Sequence, residues 1–174
     1  KYKLLCALAN VKPEVRSYIE IYNKTKIISL PKKTSENLAE ILGALAGDGH
    51  LSHHNYEINI TGHRVLDRDY ITSHLAKLFN SVFDIKLKIK EQNHNTTIKG
   101  VINSKMLMKF LTKEFYIPIG KKKGRLHIPP KIFEKQKLLK AYIRGLFDTD
   151  GSVYLRREKN VVVSIISRDQ QFLQ

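Results

Sequence analysis

Only one cysteine, Cys6, occurs in the 174 residues, so neither an intramolecular disulfide framework nor a multi-cysteine zinc site can form. Cys6 reads as a core residue in a reducing compartment. Long apolar runs are missing as well. Ile41 to Ala46 and Val161 to Ile166 are far too short to cross a bilayer, and no charged-then-apolar leader opens the chain. The expectation is an intracellular protein of the cytoplasm or nucleoid, with no membrane partner. Acidic residues are scarce: 16 Asp+Glu face 31 Lys+Arg, which leaves a formal charge of +15. With 42% hydrophobic residues the chain can still build an ordinary globular core.

Such a positive field attracts polyanions. It is concentrated between Asp84 and Lys140, where 15 basic residues stand against 4 acidic ones. Lysines there alternate along a strand-like run, a pattern that suits nucleic acid better than the basic amphipathic helix a membrane surface selects.

The stretch 1–33 reads as an N-terminal extension. Leu4, Leu5 and Leu8, then Val15, Tyr18, Ile19 and Tyr22, fall at helical spacing, which predicts one or two short helices up to Ile28, broken near Pro13. Because the first residue is Lys, this stretch is expected to be the tail of a longer polypeptide, with a linker at Ser29 to Lys33. A first unit then spans 34–130. Thr34 or Ser35 caps a helix with Leu38, Ile41, Leu42 and Leu45 on one face, which stops at Gly47-Asp48-Gly49. Period-two runs at 56–61 and 86–90 predict strands, with a helix from Asp67 to Asn80 between them. A turn at Asn93-His94-Asn95 leads into a strand to Ile102, and Ser104 caps a helix through Phe115. The class is α+β, an αββαββα unit with antiparallel sheets exposing one polar face.

After the basic loop from Gly120 to Arg125 and the Ile128-Pro129-Pro130 stop, the pattern restarts over 131–174: a helix from Ile132 to Asp148, then a hairpin of Val153 to Leu155 and Val161 to Ile166. Asp48 and Asp150 stand 102 residues apart in matching context, which marks a duplicated domain. The second copy lacks the later elements of the first. It is therefore expected to be a fragment, to be completed by about 60–90 further residues or by material from another copy. A completed chain would be a monomer, and otherwise it would self-associate.

The restarts share a motif, Ile41-Leu42-Gly43-Ala44-Leu45-Ala46-Gly47-Asp48-Gly49 beside Ile143-Arg144-Gly145-Leu146-Phe147-Asp148-Thr149-Asp150-Gly151. Gly43 with Gly47, and Gly145 with Thr149, lie on one helical face and would let two helices approach almost backbone to backbone. The carboxylates of Asp48 and Asp150 would then converge. With main-chain carbonyls beside them at Gly47 and Thr149, they form an oxygen-rich site suited to Mg²⁺, with Mn²⁺ as a substitute, and such an ion can activate water and steady a leaving phosphodiester oxygen. A lone Asp-Gly after a helix is usually only a stop and turn; two in matching context carry more weight.

On these residues the sequence resembles the LAGLIDADG homing endonucleases in their single-chain, two-motif form. The similarity runs from about Asn37 to Gln174, closest at Phe147-Asp148-Thr149-Asp150-Gly151-Ser152-Val153. In the first copy Ala46 replaces the motif's earlier acidic residue, while the final one is kept as Asp48. The resemblance implies saddle-shaped antiparallel sheets in the major groove of a long double-stranded DNA site, both strands cut across the minor groove, and Asp48 and Asp150 as catalytic, metal-binding residues. It also implies basic or polar helpers at strand ends, for which Lys105 and His63 are the candidates. Gly62 stands where some members place a glutamine, and Ser167 and Arg168 take the corresponding place in the second copy. DNA contacts are expected from Lys86, Lys88, Lys90 and Lys99, from Lys121, Lys122, Lys123 and Arg125 as phosphate-positioning groups, and from Arg156 and Arg157.

The leading function is site-specific double-strand DNA cleavage with divalent metal. Its rivals are an RNA maturase that assists splicing of an intron RNA and a non-cutting DNA-binding regulator. Both aspartates favour the nuclease, since a pure binder has no need to bury converging like charges. An intron-encoded or intein-embedded origin stays open, although no splicing block with a terminal His-Asn is seen within these residues. His50, His53 and His54 lack the spacing of a zinc site and read as solvent or phosphate contacts.

Overall fold

The computed structural model describes residues 15–22, 24–91, 96–157, 160–167 and Phe172. The chain first forms an antiparallel hairpin of β1, Val15–Tyr22, and β2, Lys24–Pro31, in the register Val15↔Pro31 to Tyr22↔Lys24. This corrects the expected helix up to Ile28 and the expected linker at Ser29 to Lys33. The run is dense in β-branched and aromatic residues, and these prefer the pleated surface even where their spacing also fits a helix. Ile28 and Leu30 are buried in the main core, so β2 belongs to the body of the first repeat. The expected helix over Leu4, Leu5 and Leu8 lies outside the described residues.

Helix α1, Glu36–Gly47, begins where Ser35 adopts an extended conformation and its hydroxyl accepts the Leu38 amide at 3.2 Å. Every residue from Leu38 to Gly47 is buried, so α1 is the central rod of the molecule rather than an amphipathic surface helix. The chain turns directly into β3, Gly49–Ser52, then through a short 3-10 turn at His54–Tyr56 into β4, Glu57–His63. The helix expected from Asp67 is a π-helical turn at Tyr70–Leu75 that continues as α2, Ala76–Phe83, ended by Asp84 in the left-handed region. Strands β5, Lys88–Glu91, and β6, Thr97–Asn103, follow; the turn expected at 93–95 is outside the described residues. Ser104 caps α3, Lys105–Phe115, accepting the Leu107 amide at 2.9 Å.

The central sheet has the order β3-β4-β6-β5, all antiparallel. Its inner face presents Leu51, Ile58, Ile60, Ile98 and Ile102 to Ile71, Leu75 and Phe79 of the π turn and α2. Each such side chain contributes about 1.5–3 kcal/mol by leaving water. Along the outer edge Lys86, Lys88 and Lys90 are exposed, Lys90 lying 3.6 Å from Glu57.

A 3-10 turn at Pro130–Ile132 precedes α4, Gln136–Asp150. Here Leu138, Ala141, Tyr142, Gly145 and Leu146 are buried at i, i+3, i+4, i+7 and i+8, a single stripe laid on α1. Strands β7, Gly151–Arg156, and β8, Asn160–Ile165, close a second hairpin in the register Gly151↔Ile165, Val153↔Val163. Helix, hairpin, π/α helix, hairpin, helix, then helix and hairpin again is the expected α+β order.

Candidate active site at the paired helix ends

Close approach of α1 and α4 is built into two glycines. A Cβ on Gly43 would lie 2.8 Å from the Leu146 nitrogen and 3.0 Å from the Tyr142 carbonyl carbon; one on Gly145 would lie 2.9 Å from the Glu40 carbonyl carbon and 3.0 Å from the Ala44 nitrogen. Subtracting the 102-residue offset turns Tyr142 and Leu146 into residues 40 and 44, so each glycine meets the same two positions of the opposite helix. The pair is therefore related by a pseudo-twofold axis, as small residues four apart permit.

One turn further along, Gly47 faces Thr149, and a Cβ there would stand 3.4 Å from the Asp150 carboxyl carbon. The Thr149 hydroxyl donates to the carbonyls of Gly145 and Leu146 of its own helix at 3.2 and 3.0 Å and fills the space that Gly47 leaves open. The ordinary stop reading of Asp-Gly would put a left-handed glycine after each helix, but the only glycines with positive φ among the described residues are Gly120 and Gly124. Gly49 and Gly151 serve a different need. The strand folds back so tightly that a Cβ on Gly49 would strike Leu45 backbone and one on Gly151 would strike Phe147. Asp48 is further pinned by the Thr61 amide of β4, which donates to its carbonyl at 3.3 Å.

The two carboxylates feel each other. Partial burial, then the charge of Asp150, and also that of Asp67 raise the pKa of Asp48 to about 6, against the opposing pull of Lys122. Asp48 keeps an open side to solvent, so burial acts on one flank of the group only. Asp150 is raised by burial too, and again Lys122 opposes.

Lys122, expected among the phosphate-positioning lysines, lies at this junction, its ammonium donating to the Ala46 carbonyl at 2.9 Å and to the Gly47 carbonyl. Gly120 and Gly124, both left-handed, shape the loop, and the Gly120 amide donates to Leu51 at 2.8 Å, fastening it to the edge of β3. Burial lowers the pKa of Lys122, while both aspartates raise it. Its neighbours Lys121 and Lys123 are exposed, as expected of phosphate contacts. Arg125 spends one guanidinium nitrogen on the Ile119 carbonyl at 3.2 Å.

The two expected helpers fare unequally. Lys105 sits over the Tyr56 ring at 5.3 Å, at the entry of β4. Thr61, which bonds Asp48, is five residues along that strand, or about 16 Å at the usual rise per residue. The structure therefore does not bring Lys105 to the aspartates; it starts α3 at the far end of the sheet. His63 is at the near end, but its Nδ1 accepts the amides of Val65 and Leu66 at 3.3 and 3.2 Å and so caps the turn. Instead Asp67 is the near group. Its carboxylate accepts the His63 amide at 2.6 Å and fills the space beside Gly62, where a Cβ would lie 2.8 Å from Oδ2. The space of the glutamine that some LAGLIDADG enzymes carry is thus taken by an acid from the following turn.

Two carboxylates and the Gly47 carbonyl already draw one cationic group, the Lys122 ammonium, which is the chemistry a divalent ion needs from its donors. Thr149 is at the same junction, its hydroxyl set against Gly47 and donating within its own helix. No group of three or more His, Cys, Asp or Glu with metal-ligating geometry occurs among the described residues. Of the other expected DNA contacts, Arg156 and Arg157 are exposed at the tip of the second hairpin, and Lys99 is half-buried on β6.

The LAGLIDADG-like domain family matches residues 137–174, the segment that carries α4, Asp150 and the second hairpin. Over that segment the chain is similar to the LAGLIDADG-like domain family. Two relatives are found in Methanocaldococcus jannaschii. It is 28% identical over 170 residues to a glutamine–fructose-6-phosphate aminotransferase (isomerizing), covering 97% of the chain but 15% of that protein. It is 31% identical over 136 residues to a replication factor C small subunit, covering 78% of the chain and 7% of that protein. The chain thus spans a small part of these relatives. Among solved structures it is similar to a mesophilic variant of the homing endonuclease I-DmoI, at a TM-score of 0.43 and 20% identity over 67% of the chain and 58% of that protein. A further I-DmoI structure, in complex with its nicked target DNA and with manganese present, gives a TM-score of 0.42 and 20% identity over 67% and 62%.

Proposed function

We propose that this chain is the cutting unit of a site-specific double-strand DNA endonuclease that hydrolyses phosphodiester bonds with divalent metal held by Asp48 and Asp150. The observation that carries the reading is the junction of the two helix ends, where two acidic groups with raised pKa values meet beneath one lysine. A structural ion pair needs one acid, and two like charges held together at a cost in stability mark a working site. The exposed lysines of β5 and the +15 charge supply attraction for a duplex.

A bound Mg²⁺ or Mn²⁺ would polarise the scissile phosphate and favour ionisation of the attacking water. The protein's own part is orientation and charge. Asp48 is largely ionised at neutral pH, so it can hold a cation there and loses that ability in mild acid. Lys122 offers a positive charge beside the same point, suited to a developing negative charge on phosphate oxygen. Asp67, fixed by the His63 amide, is the group positioned to accept a proton from water on the first-repeat side.

The relatives support a further part of the reading. Two proteins whose names share no chemistry contain matches to this segment as a small fraction of their length. We take it as an inserted unit with an activity of its own, of the intron- or intein-associated kind.

The test is incubation with a randomised duplex library, with Mg²⁺, with Mn²⁺ and with chelator, followed by sequencing of cut ends. Metal-dependent breaks at one sequence are expected, reduced by roughly a thousandfold or more in Asp48→Asn and in Asp150→Asn, with duplex binding retained. Duplex binding without breaks under every condition would make the chain a regulator, and tight binding of intron RNA without breaks would make it a maturase.

A further inference from the structure

Glu40 has no role at the aspartate site, yet it is the one charged residue buried within α1, its side chain 2% exposed. Its carboxylate accepts from the Arg144 guanidinium of α4 through Nε at 2.9 Å and again through a terminal nitrogen, and it meets the His74 imidazole at 2.5 Å. Burial alone would raise its pKa, but the hydrogen bonds from Arg144 and His74 outweigh it and hold the group ionised. Arg144 is itself half open to water.

The pseudo-twofold axis shows what this pair decides. Gly43 and Gly145 make equivalent contacts, so the backbone surface of α1 would accept a second copy's α1 as readily as it accepts α4. The side chains break that equivalence. By the 102-residue offset the counterpart of Arg144 is Leu42, and the counterpart of Glu40 is Tyr142. Set against another α1, Glu40 would keep His74, which comes from its own repeat, and would face an apolar Leu42 where it now has a guanidinium. A buried carboxylate stripped of its cross-helix donors is far costlier than the intact pair is stabilising. The asymmetry works chiefly against the wrong partner.

We propose that Glu40 is the selector of repeat pairing: it reserves α1 for the Arg144-bearing helix and turns away a second copy's α1. The role concerns assembly and stands apart from whether the chain cuts DNA. A single buried polar group can fix helix partnership in this way at some cost in stability.

The experiment separates selection from stability. In the 174-residue chain, Arg144→Leu should melt at a lower temperature than the parent and gain no dimer, because Glu40 loses its donors without gaining a partner. The double variant Glu40→Leu with Arg144→Leu should melt at or above the parent temperature and yet dimerise at least tenfold more tightly, read by light scattering as a rise from 20.1 kDa towards twice that mass. Amides of α4 should exchange faster in the dimer, since another α1 has displaced that helix. The same test in Glu40→Met with Arg144→Met guards against a packing fault peculiar to leucine. A folded double variant with the parent's dimer fraction and an equally protected α4 would overturn the proposal, and so would parental stability in Arg144→Leu.

Discussion

The two hairpins that follow the two motif helices have the same start and opposite fates. In the first, Leu51 and Ile58 face each other across β3 and β4 and are each 1% exposed beneath the π turn and α2. In the second, Val153 and Val163 occupy the matching pair across β7 and β8 and are 61% and 65% exposed, with Leu155 and Val161 beside them. Both hairpins carry apolar residues at this pair of positions, so the difference is what lies above. The same contrast runs through the helices: α1 is enclosed on every side, while α4 buries one stripe. A strand pattern therefore states which face wants cover, and neighbouring elements decide whether it gets it. At both Asp-Gly junctions the glycine lets the strand fold back tightly onto its own helix.

Comparing the repeats suggests where each can be broken. The helix pair should be the most sensitive point, and equally so from either side. Gly43→Val and Gly145→Val each drive a branched side chain into the opposite backbone, and each is expected to cost about 3 kcal/mol or more and to merge into a non-cooperative urea transition. A large effect at one glycine and none at the other would contradict the pseudo-twofold relation. Next come the hairpins. Leu51→Ala should cost about 2–4 kcal/mol and Val153→Ala under about 0.5 kcal/mol in the same denaturation experiment. Equal losses would mean that β7 and β8 are covered in solution.

A pH effect sharpens the junction they share. Asp48 has a folded pKa of about 6 against an ordinary 3.8. Below the ordinary value it is protonated in both states. Between the two values the unfolded chain releases a proton that the folded chain keeps, so stability falls as pH rises through that window and levels off above about 6. With solvent screening the fall is on the order of 1 kcal/mol. Thermal melts at pH 4, 5, 6 and 7 should show it, and Asp48→Asn should flatten the slope and raise the melting temperature at pH 7.

Much of this was legible in the residues. Ser35 and Ser104 cap as their positions suggested, the period-two runs are strands, and the Gly43 and Gly145 spacing told of helix contact, because each depends on neighbours close in sequence. The first hairpin was misread because Val15, Tyr18, Ile19 and Tyr22 satisfy a helical and an extended pattern at once, and composition should have decided between them. Lys122 is indistinguishable from Lys121 and Lys123 in a run of like charge; which of the three turns inward depends on a loop shaped by Gly120 and Gly124 and fastened to Leu51. Glu40 and Arg144 are 104 residues apart, and Asp67 acts through a space left by Gly62, so neither relation has a local signature.

The abrupt corner between α1 and β3 has one more consequence. Asp48 lies between a helix and a strand with no spacer residue, held on one flank by packed α4 and on the other by the Thr61 amide. Such a corner has no slack. Fine alignment of a polymer across these carboxylates must come from the polymer's own bending, so how easily a duplex deforms at its centre becomes as much a part of its suitability as the letters it carries.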